Sequence, residues 1–594
     1  MVLKLVLSFL LAAPVLAWGR SSYLSQVQDQ KLWEDPQWIK LGHYRKKWFG
    51  AYQSPLQGNF FISPHGDTDP KAELLATVNL LFGQDETSKK SQCRYLARMS
   101  WLKKRLDIDP QDIAPCPERD QWKKQLGAQE LYIIFASSDL NSAGSSFGHT
   151  FLRAHNPQNT KEKELLDYGI NYAAITGDDG GALYALKGLF GFYPGAYSML
   201  PYYQKIREYT NMEGRNIWEY RLNFSPAEVE FLIDHLLELD GSYAPYYFAD
   251  DNCSQQILEL LEVAKPQLDL ASSFHDFTIP LDTVKVLNQH HLLSGEKMRP
   301  SLQSEWRARY TALNAQEKKA LKKVLKSTEP SAIADLDKKA QAEVLEASLS
   351  YLAIKEYREQ KECKEEKYRL SVARAQLGAQ TAPLQLEIPP SPLTSHDSQA
   401  FYLGYGKNDD FEFYRFKYRR AFHDLLSDDS SLSPFSHLEV LSFDFRYFTE
   451  KQNLDLYRFI LLKIISTAPV NILDTPVSWK LDIGTEPRLS PFINIGAGLS
   501  FDFFRDTRFT VLALSENYEL ADTAQPYLGG EALFMTKHSG WRAFIGGKYL
   551  SSTTDGHHFP EYNAGLSTNI STVEIRGEYR QRDDVPEWML SVVF

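Results

Sequence analysis

The sequence lacks a second long hydrophobic run, a surplus of basic residues and a recognisable set of metal ligands. After the first residues, no apolar stretch reaches the ~20 residues that a membrane-spanning helix needs, so we expect no helical anchor in the mature chain. The net charge is -11 and no strongly basic patch stands out, which argues against a general nucleic-acid-binding protein. The pairs His290-His291 and His557-His558 lack carboxylates at ligand spacing, and we therefore predict neither a metal site nor a cofactor.

Cysteine is scarce, with four in 594 residues. In an exported protein a disulfide is permitted, and the nearest pair in sequence, Cys93 and Cys116, flanks a helical run and a proline-containing loop. We expect a disulfide between these two residues that closes the loop. Cys363 lies on a charged helical face where nothing could assemble around a nucleophile, which leaves Cys253 as the candidate for chemistry.

The N-terminus has the composition of a secretory signal peptide over residues 1–17. A short basic start at Lys4 precedes an apolar run over 5–16, and the small residues Val15 and Ala17 stand before the predicted cut. No cysteine follows that cut, so we do not expect a lipoprotein of the usual kind.

Composition and periodicity divide the rest of the chain into five segments, which a length of 594 residues accommodates. We predict a helical N-terminal domain, an α/β domain, a charged helical region, a proline-rich linker and a β-domain at 18–129, 130–275, 276–380, 381–396 and 397–594. The predicted fold class is therefore multidomain α+β followed by all-β. Within the first segment, the aromatic and basic stretch 44–49 is interpreted as a core-facing patch on a basic helix, with a lipid-facing role as the alternative.

Short apolar runs separated by polar loops predict the elements of the domain at 130–275. Strands are expected at 131–135, 147–153, 165–173 and 217–222. The glycine-rich segment 176–195 is interpreted as a mobile loop. Ser225, with Glu228 three residues later, predicts the capped start of an amphipathic helix.

An alternation with a period of two characterises the last third of the chain. In Phe492–Phe503, the apolar side chains from Ile493 onwards share one face, and small or polar residues occupy the other. About twelve such segments follow residue 399, and the last one ends in Phe594, so the pattern predicts a roughly 12-stranded transmembrane β-barrel of the outer-membrane type. The alternative is a soluble β-sandwich or barrel with an ordinary core.

The stretch Asp250–Ser254 runs directly into apolar residues at helical spacing, so a helix is expected to begin near Cys253, with Asp251 or Asn252 as its N-cap. A cysteine in the first turn faces unpaired N–H groups and the positive end of the helix dipole, which lower a thiol pKa. The two aspartates oppose this effect, so a reactive thiol would need a further cationic or hydrogen-bonding partner. The alternative is a buried structural cysteine or half of a disulfide.

A cysteine nucleophile needs a base, and the base needs an orienting group. His149 is the leading candidate for the base because it lies on a predicted strand after a flexible loop, in the same domain as Cys253. Asn171 is the first choice for the orienting group and Asp167 the second; a period of two puts both on one face and cannot separate them. The alternative is that His149 is an ordinary core histidine.

Three motifs carry a resemblance to a known family: 145–153 (Ser-Ser-Phe-Gly-His-Thr-Phe-Leu-Arg), 170–174 (Ile-Asn-Tyr-Ala-Ala) and 251–254 (Asp-Asn-Cys-Ser). With histidine before cysteine, the order is similar to the permuted papain-like hydrolases of the NlpC and lecithin–retinol acyltransferase group. The three motifs together resemble the N-terminal periplasmic domain of the Lnb family. The resemblance covers about 130–275; the C-terminal region departs from it, because Lnb proper resembles a chain with helical membrane spans.

The resemblance implies a permuted papain-like fold and lipoprotein N-acyltransfer, in which an acyl chain moves from a phospholipid to the amino group of a lipoprotein's N-terminal cysteine. Phospholipid would be one partner and the lipoprotein N-terminus another, with the catalytic domain in the periplasm and the barrel in the outer membrane of a Gram-negative bacterium. The expected enzyme is an acyltransferase or phospholipase that works through a thioester on Cys253. Two alternatives remain: a cysteine peptidase or amidase acting on peptidoglycan, and a non-catalytic barrel with a binding module.

Overall fold

The computed structural model describes residues 22–594 except 84, 141–144, 161–162, 178–186, 189, 249, 275–276, 430–431, 474, 487–489, 505, 521–522, 555 and 572. The predicted signal peptide at 1–17 and half of the predicted loop at 176–195 lie outside the described residues. The chain forms two compact units. The first ends at Ala136 and resumes from Gly148 to Leu386, and the second contains Ser137–Phe147 and Glu387–Phe594.

The first unit combines helices with one central sheet. In the described part of the chain its α-helices include Pro36–Leu41 (α1), Pro70–Leu81 (α2), Glu86–Arg94 (α3), Leu96–Arg105 (α4), Pro117–Leu126 (α5), Tyr202–Ile206 (α6), Pro226–Glu238 (α7), Cys253–Ala264 (α8), Pro280–Gln289 (α9), Leu302–Ala312 (α10), Ala315–Ser327 (α11), Lys338–Glu359 (α12) and Lys364–Gln376 (α13). A π-helical turn occupies Arg207–Met212, and short 3-10 turns lie at Leu32–Glu34, Pro110–Asp112, Glu164–Leu166, Ala271–Ser273, Pro330–Ile333 and, in the second unit, Pro392–Thr394. No described helix is both long enough and apolar enough to cross a bilayer.

Helix ends follow from local sequence. Before α7, Ser225 accepts a hydrogen bond from the Glu228 N–H, and the Glu228 carboxylate accepts one from the Ser225 N–H, so the predicted capping box is confirmed. Proline at the first position of α7 costs no hydrogen bond because that N–H has no partner within a helix. At the other end of a helix, Gly127 adopts φ +60° and terminates α5.

The sheet of the first unit has eight antiparallel strands in the order β10-β8-β4-β5-β6-β7-β9-β3. The strands of this unit are Arg45–Lys46 (β1), Tyr52–Gln53 (β2), Gln57–Gly58 (β3), Glu130–Ala136 (β4), His149–His155 (β5), Tyr168–Ala174 (β6), Tyr193–Pro201 (β7), Ile217–Leu222 (β8), Ser242–Tyr246 (β9) and Leu293–Arg299 (β10). The strand β10 lies inside the region 276–380 that was predicted to be helical, and the prediction is wrong there. Its short charged sequence pairs with β8 at the edge of the sheet, where one side of a strand can stay solvated.

The helix α8 lies in the middle of the first unit, and all 12 of its residues are buried. It packs on β5, α7 and α1, and the Gln37 side chain of α1 donates to the Val263 carbonyl at 3.1 Å, which satisfies a carbonyl near the end of α8. A helix surrounded in this way has a fixed position, so a side chain in its first turn has a fixed position too.

Two cysteines form a disulfide. Cys93 at the end of α3 and Cys116 before α5 are bonded, with their Cα atoms 5.4 Å apart, and close the intervening segment. Cys253 and Cys363 are free thiols, and both are buried.

The second unit is a closed antiparallel barrel of twelve strands, which confirms the predicted fold class. Its strands are Ala400–Asn408 (β11), Glu412–His423 (β12), His437–Phe448 (β13), Asn453–Ser466 (β14), Ser478–Glu486 (β15), Ser490–Phe504 (β16), Thr507–Leu520 (β17), Thr523–His538 (β18), Trp541–Ser552 (β19), His558–Ile570 (β20), Val573–Arg582 (β21) and Val585–Val593 (β22). The strands β11 and β22 pair with each other and close the barrel.

The polarity of the barrel is opposite to that of a water-soluble barrel. Large apolar side chains face outwards, among them Leu403, Phe416, Ile493, Ile495, Phe501, Ile545, Leu566 and Leu590. Charged residues are buried inside and form ion pairs, including Arg446–Glu587 and Lys480–Glu531. This distribution is that of a barrel surrounded by lipid, because a soluble barrel would bury the apolar face instead. The soluble alternative is therefore excluded.

Candidate active site

Asn252 fixes the start of α8 and so the position of Cys253. The Asn252 Oδ1 accepts hydrogen bonds from the N–H groups of Ser254 (2.9 Å) and Gln255 (3.4 Å), so Asn252, not Asp251, is the N-cap. The Asn252 amide also donates to the carbonyls of Phe248 (3.1 Å) and Thr278 (2.6 Å). The Asn252 side chain is therefore hydrogen-bonded through both its oxygen and its nitrogen, which fixes the residue before Cys253.

The Cys253 thiol is 3% exposed, yet its surroundings favour the thiolate. Burial acts to raise the pKa of the Cys253 thiol, but the charge of His149 and a hydrogen bond to its imidazole outweigh burial and lower that pKa below its ordinary value. The Thr150 N–H and the Ser254 hydroxyl contribute further hydrogen bonds to the sulfur. The Sγ-to-Oγ distance from Cys253 to Ser254 is 4.0 Å.

His149 is the first residue of β5, and Gly148 sets the direction in which it leaves the preceding loop. Gly148 adopts φ +89°, and a Cβ there would lie 2.8 Å from the Phe135 ring and 3.0 Å from the Ala136 carbonyl oxygen. The position therefore requires glycine on two grounds. The imidazole stacks on the Tyr209 ring, with ring centroids 5.7 Å apart, which restricts its rotation.

The two groups influence each other's protonation. Burial acts to lower the pKa of His149, but the negative charge on Cys253 and hydrogen bonds to Cys253 and Asn171 raise that pKa above its ordinary value. A lowered thiol pKa and a raised imidazole pKa both favour a thiolate–imidazolium pair. Such a pair is the ground state of an activated cysteine nucleophile.

Asn171, on the neighbouring strand β6, is hydrogen-bonded to the imidazole. Its Oδ1 lies 2.7 Å from the His149 Nε2, so Nε2–H donates to the amide oxygen and Nδ1 is the ring nitrogen left for the thiol. Asn171 is itself buried, which holds the hydrogen bond away from water.

Asp167 is placed elsewhere. Its carboxylate accepts hydrogen bonds from the His155 Nδ1 (2.7 Å), the Asn159 amide (2.8 Å) and the Asn156 N–H (3.3 Å). Asp167 precedes β6 and contacts the end of β5 opposite to His149, whereas Asn171 contacts the imidazole of His149 itself. The second-choice orienting residue is therefore corrected to a structural group that holds the His155 end of β5.

The negative charge of Asp251 is neutralised by a residue that is 206 positions away. The Arg45 guanidinium donates to both Asp251 oxygens, at 2.5 and 2.6 Å, and the Gln256 amide donates to one of them at 2.9 Å. The Arg45 Nε also donates to Glu259 at 2.7 Å. Because Arg45 neutralises its charge, Asp251 no longer opposes a thiolate on Cys253. Asp250 is exposed, and solvent screens its charge.

Few backbone donors remain at the start of α8 for a developing oxyanion. The Ser254 and Gln255 N–H groups already donate to the Asn252 side chain, so they are not available to an oxyanion. The Cys253 N–H donates to the Tyr246 hydroxyl over a long 3.4 Å, and a bond of that length is the one that a stronger acceptor could replace.

Three exposed aromatic residues lie on two segments that contact each other, one of which leads into α8. Phe190, Phe192 and Tyr247 form what we term the apolar rim. The Phe248 N–H donates to the Gly188 carbonyl at 2.9 Å, and a Cβ on Gly191 would overlap the Tyr247 ring, so the rim rests on the segment that leads into Cys253.

Replacing His149 by alanine is expected to raise the pH at which Cys253 reacts with iodoacetamide. The thiolate is present above the thiol pKa and is lost as the pH falls through it; without the imidazolium, burial dominates and moves that pKa upward. The measurement is the rate of alkylation against pH, followed by peptide mass. An unchanged midpoint in the variant would show that His149 does not stabilise the thiolate.

Among the residues that shape the site, the sequence indicates Asn252 but gives no indication of Arg45. Asn252 was an open alternative for the cap, and its role could be read from its position before the helix. Arg45 offers no such signal, because its partners lie more than two hundred residues later. In the described part of the chain, no group of three or more His, Cys, Asp or Glu side chains could hold a metal ion.

Three family profiles match parts of the chain. Residues 118–290 match the Lnb N-terminal periplasmic domain, which confirms the resemblance drawn from the three motifs. Residues 30–105 and 389–592 match two domains of unknown function, DUF7843 and DUF7840 respectively. No curated protein matches the chain.

Among solved structures, similar ones include outer-membrane proteins, several of them porins. The KdgM porin in complex with disordered oligogalacturonate and the NanC porin share 8% and 10% identity, each over 33% of this chain and 98% of theirs, with TM-scores of 0.23 and 0.22. OmpT from Vibrio cholerae shares 6% over 33% of this chain and 97% of its own, with a TM-score of 0.18. At these TM-scores the likeness carries no conclusion about function. The lipid-facing exterior of the barrel and the periplasmic-domain match place the chain in the outer membrane with a periplasmic domain.

Proposed function

We propose that the Lnb-type domain is a cysteine acyltransferase or phospholipase that acts on the acyl esters of phospholipid. Cys253 is the nucleophile, His149 the general base and acid, and Asn171 the residue that orients the imidazole. The observation that carries the proposal is the hydrogen-bonded series Cys253–His149–Asn171, with the cysteine in the first turn of a buried helix.

In the first half-reaction the Cys253 thiolate attacks the ester carbonyl carbon, and a C–S bond forms as the carbonyl electrons move to oxygen. The oxyanion replaces the Tyr246 hydroxyl as acceptor of the Cys253 N–H. When the oxyanion collapses, the C–O bond of the ester breaks and the His149 imidazolium protonates the departing alkoxide. The products are a lysophospholipid and an acyl thioester on Cys253.

In the second half-reaction the neutral His149 removes a proton from the acceptor, which attacks the thioester carbonyl. Collapse of the second oxyanion breaks the C–S bond and returns Cys253 to the thiolate. An amine acceptor, such as the N-terminal amino group of a lipoprotein, gives an amide, and water gives a free fatty acid. The Lnb likeness favours the amine.

Two features support a lipid ester as the substrate. The apolar rim offers exposed aromatic surface beside the start of α8, which suits an acyl chain better than a polar glycopeptide. The outer-membrane location of the chain supplies phospholipid as an abundant ester at the surface where the domain works.

Asn171→Ala is expected to lower phospholipid turnover by roughly 10- to 100-fold, because the imidazole loses the acceptor that fixes its orientation. Asp167→Asn is the matched control: it alters a buried group on the same part of the sheet, but one that contacts His155. Its kcat is expected to stay within about twofold of wild type. Turnover of labelled phospholipid by both variants is the measurement, and a larger loss in Asp167→Asn would reverse the assignment.

The proposal is tested by incubating the full chain in proteoliposomes with labelled phospholipid, with and without a diacylated lipopeptide that has a free N-terminal amine. Release of lysophospholipid supports the proposal, and acylated lipopeptide identifies the amine as acceptor. Cleavage of muropeptides without any lysophospholipid would contradict it in favour of a peptidase or amidase.

A further inference from the structure

The hairpin formed by β1 and β2 carries two large aromatic side chains at its tip. Arg45 pairs with Gln53 and Lys46 with Tyr52, and Trp48 and Phe49 between them are each 96% exposed. The stretch 44–49 was predicted to be a core-facing patch on a helix, and that prediction is wrong: the segment turns back on itself and points these two side chains into solvent.

The tip is an ordered turn. The Lys47 N–H donates to the Ala51 carbonyl and the Gly50 N–H to the Lys47 carbonyl, both at 2.8 Å. Gly50 adopts φ +81°, a conformation that suits glycine. The aromatic side chains are therefore presented by a preformed element, and ordering them on binding costs less than ordering a disordered loop.

The surroundings of the two aromatic residues favour a membrane over a protein partner. All residues from Lys46 to Ala51 are exposed, so the two aromatic side chains have no large apolar surface of their own turn beside them, which an interface core would supply. Lys46 and Lys47 give the tip positive charge in a chain whose net charge is -11. Tryptophan, phenylalanine and lysine together match a bilayer interface, where rings sit among the headgroups and lysines meet anionic lipid.

The base of the hairpin is joined to the candidate active site. Arg45, the first residue of β1, donates to Asp251, just before α8, and to Glu259, in the middle of α8. The base of the hairpin is therefore in direct contact, through a charged, bidentate pair, with the segment that carries Cys253.

We propose that the hairpin tip Lys46–Gly50 inserts Trp48 and Phe49 into the headgroup region of a phospholipid surface. The insertion itself does not depend on the chemistry at Cys253. Its consequence, that lipid is delivered to Cys253 at the membrane surface, rests on the proposed function.

The test uses the full chain with Cys253→Ala and Cys363→Ala, so that no free cysteine remains and the disulfide is untouched. Phe49→Cys is labelled with an environment-sensitive fluorophore and reconstituted in vesicles of phosphatidylethanolamine and phosphatidylglycerol. Tyr368→Cys, an aromatic position on α13 that is 72% exposed, receives the same label as the matched control.

The label at position 49 is expected to shift to shorter emission wavelengths and to be quenched at least about twofold by phospholipid spin-labelled near the headgroup, whereas the label at 368 is not. Removing phosphatidylglycerol should weaken the quenching. An unshifted, unquenched label at 49 would overturn the proposal. A shifted label that spin-labelled lipid does not quench would overturn it too, since another protein surface or a second copy would then cover the tip.

A second variant connects the tip to turnover. Trp48→Ser/Phe49→Ser is expected to lower kcat/KM on vesicle phospholipid by about tenfold or more, with the rate of Cys253 alkylation unchanged. If no form of the protein turns over phospholipid, the proposed function fails, and the label at position 49 still decides whether the tip enters the membrane.

Discussion

Cys253→Ser is expected to lower phospholipid turnover by roughly a thousandfold or more. A serine hydroxyl has no accessible anionic form at neutral pH, so the charge on the side chain that raises the pKa of His149 disappears along with the ion pair. The measurement is the release of lysophospholipid by the full chain in proteoliposomes.

Cys363→Ser is the matched control for that prediction. Cys363 is also a buried free thiol, but burial and the nearby Glu366 and Glu356 raise its pKa, so nothing activates it. Its turnover is expected to stay within about twofold of wild type. Activity that survives Cys253→Ser and falls in Cys363→Ser would show that the nucleophile has been misassigned.

Arg45→Met is expected to reduce the free energy of unfolding of the N-terminal unit by about 2–3 kcal/mol. The substitution leaves Asp251 and Glu259 as carboxylates without their guanidinium partner, and both are buried. The loss should stay below the ~3–5 kcal/mol of a fully buried pair, because 35% of the Arg45 side chain is exposed. Denaturant unfolding of the full chain, followed by a probe on this unit, measures the change.

A double-variant cycle separates the charge effect from lost packing. Asp251→Asn added to Arg45→Met should recover part of the stability, because one of the unpaired charges is removed. Arg45→Met alone should also raise the pH at which Cys253 is alkylated, since an unpaired Asp251 disfavours the thiolate two residues later. A full loss of stability in the double variant, equal to the sum of the single losses, would show that the two side chains do not interact energetically.

The sequence predicts those features of the structure that depend on residues close together in the chain. A period of two in Ser490–Phe504 is sufficient to predict a lipid-facing strand, because adjacent side chains on a strand point to opposite faces. The start of α8 is equally local: a capping residue followed by apolar residues at helical spacing predicts it. Both predictions need only a dozen consecutive residues.

Where partners lie far apart in the chain, local patterns give no answer. Asn171 and Asp167 have the same periodicity, and only the positions of His149 and His155 show which of the two side chains contacts the His149 imidazole. The pairing of Arg45 with Asp251 depends on packing between segments that are 206 residues apart. No spacing rule covers such a contact.

The prediction for the hairpin of β1 and β2 is wrong for a different reason. Aromatic and basic residues in 44–49 fit a helix as well as a turn, and a buried role is the usual one for large aromatics. Gly50, whose positive φ ends the turn, is the residue that favours a turn over a helix. It follows the stretch 44–49 and was therefore not part of the pattern from which a helix is predicted. Large aromatic side chains are usually buried, and the hairpin that exposes them here is the element that we propose enters the membrane.

The most direct test of the account is the intact mass of the full chain after brief exposure to phospholipid without an acceptor. The account predicts an increase in mass equal to one acyl group, released by neutral hydroxylamine, mapped to the Cys253 peptide and absent in Cys253→Ala. Turnover of phospholipid with no adduct in wild type, or an adduct of equal size in Cys253→Ala, would contradict a thioester on Cys253.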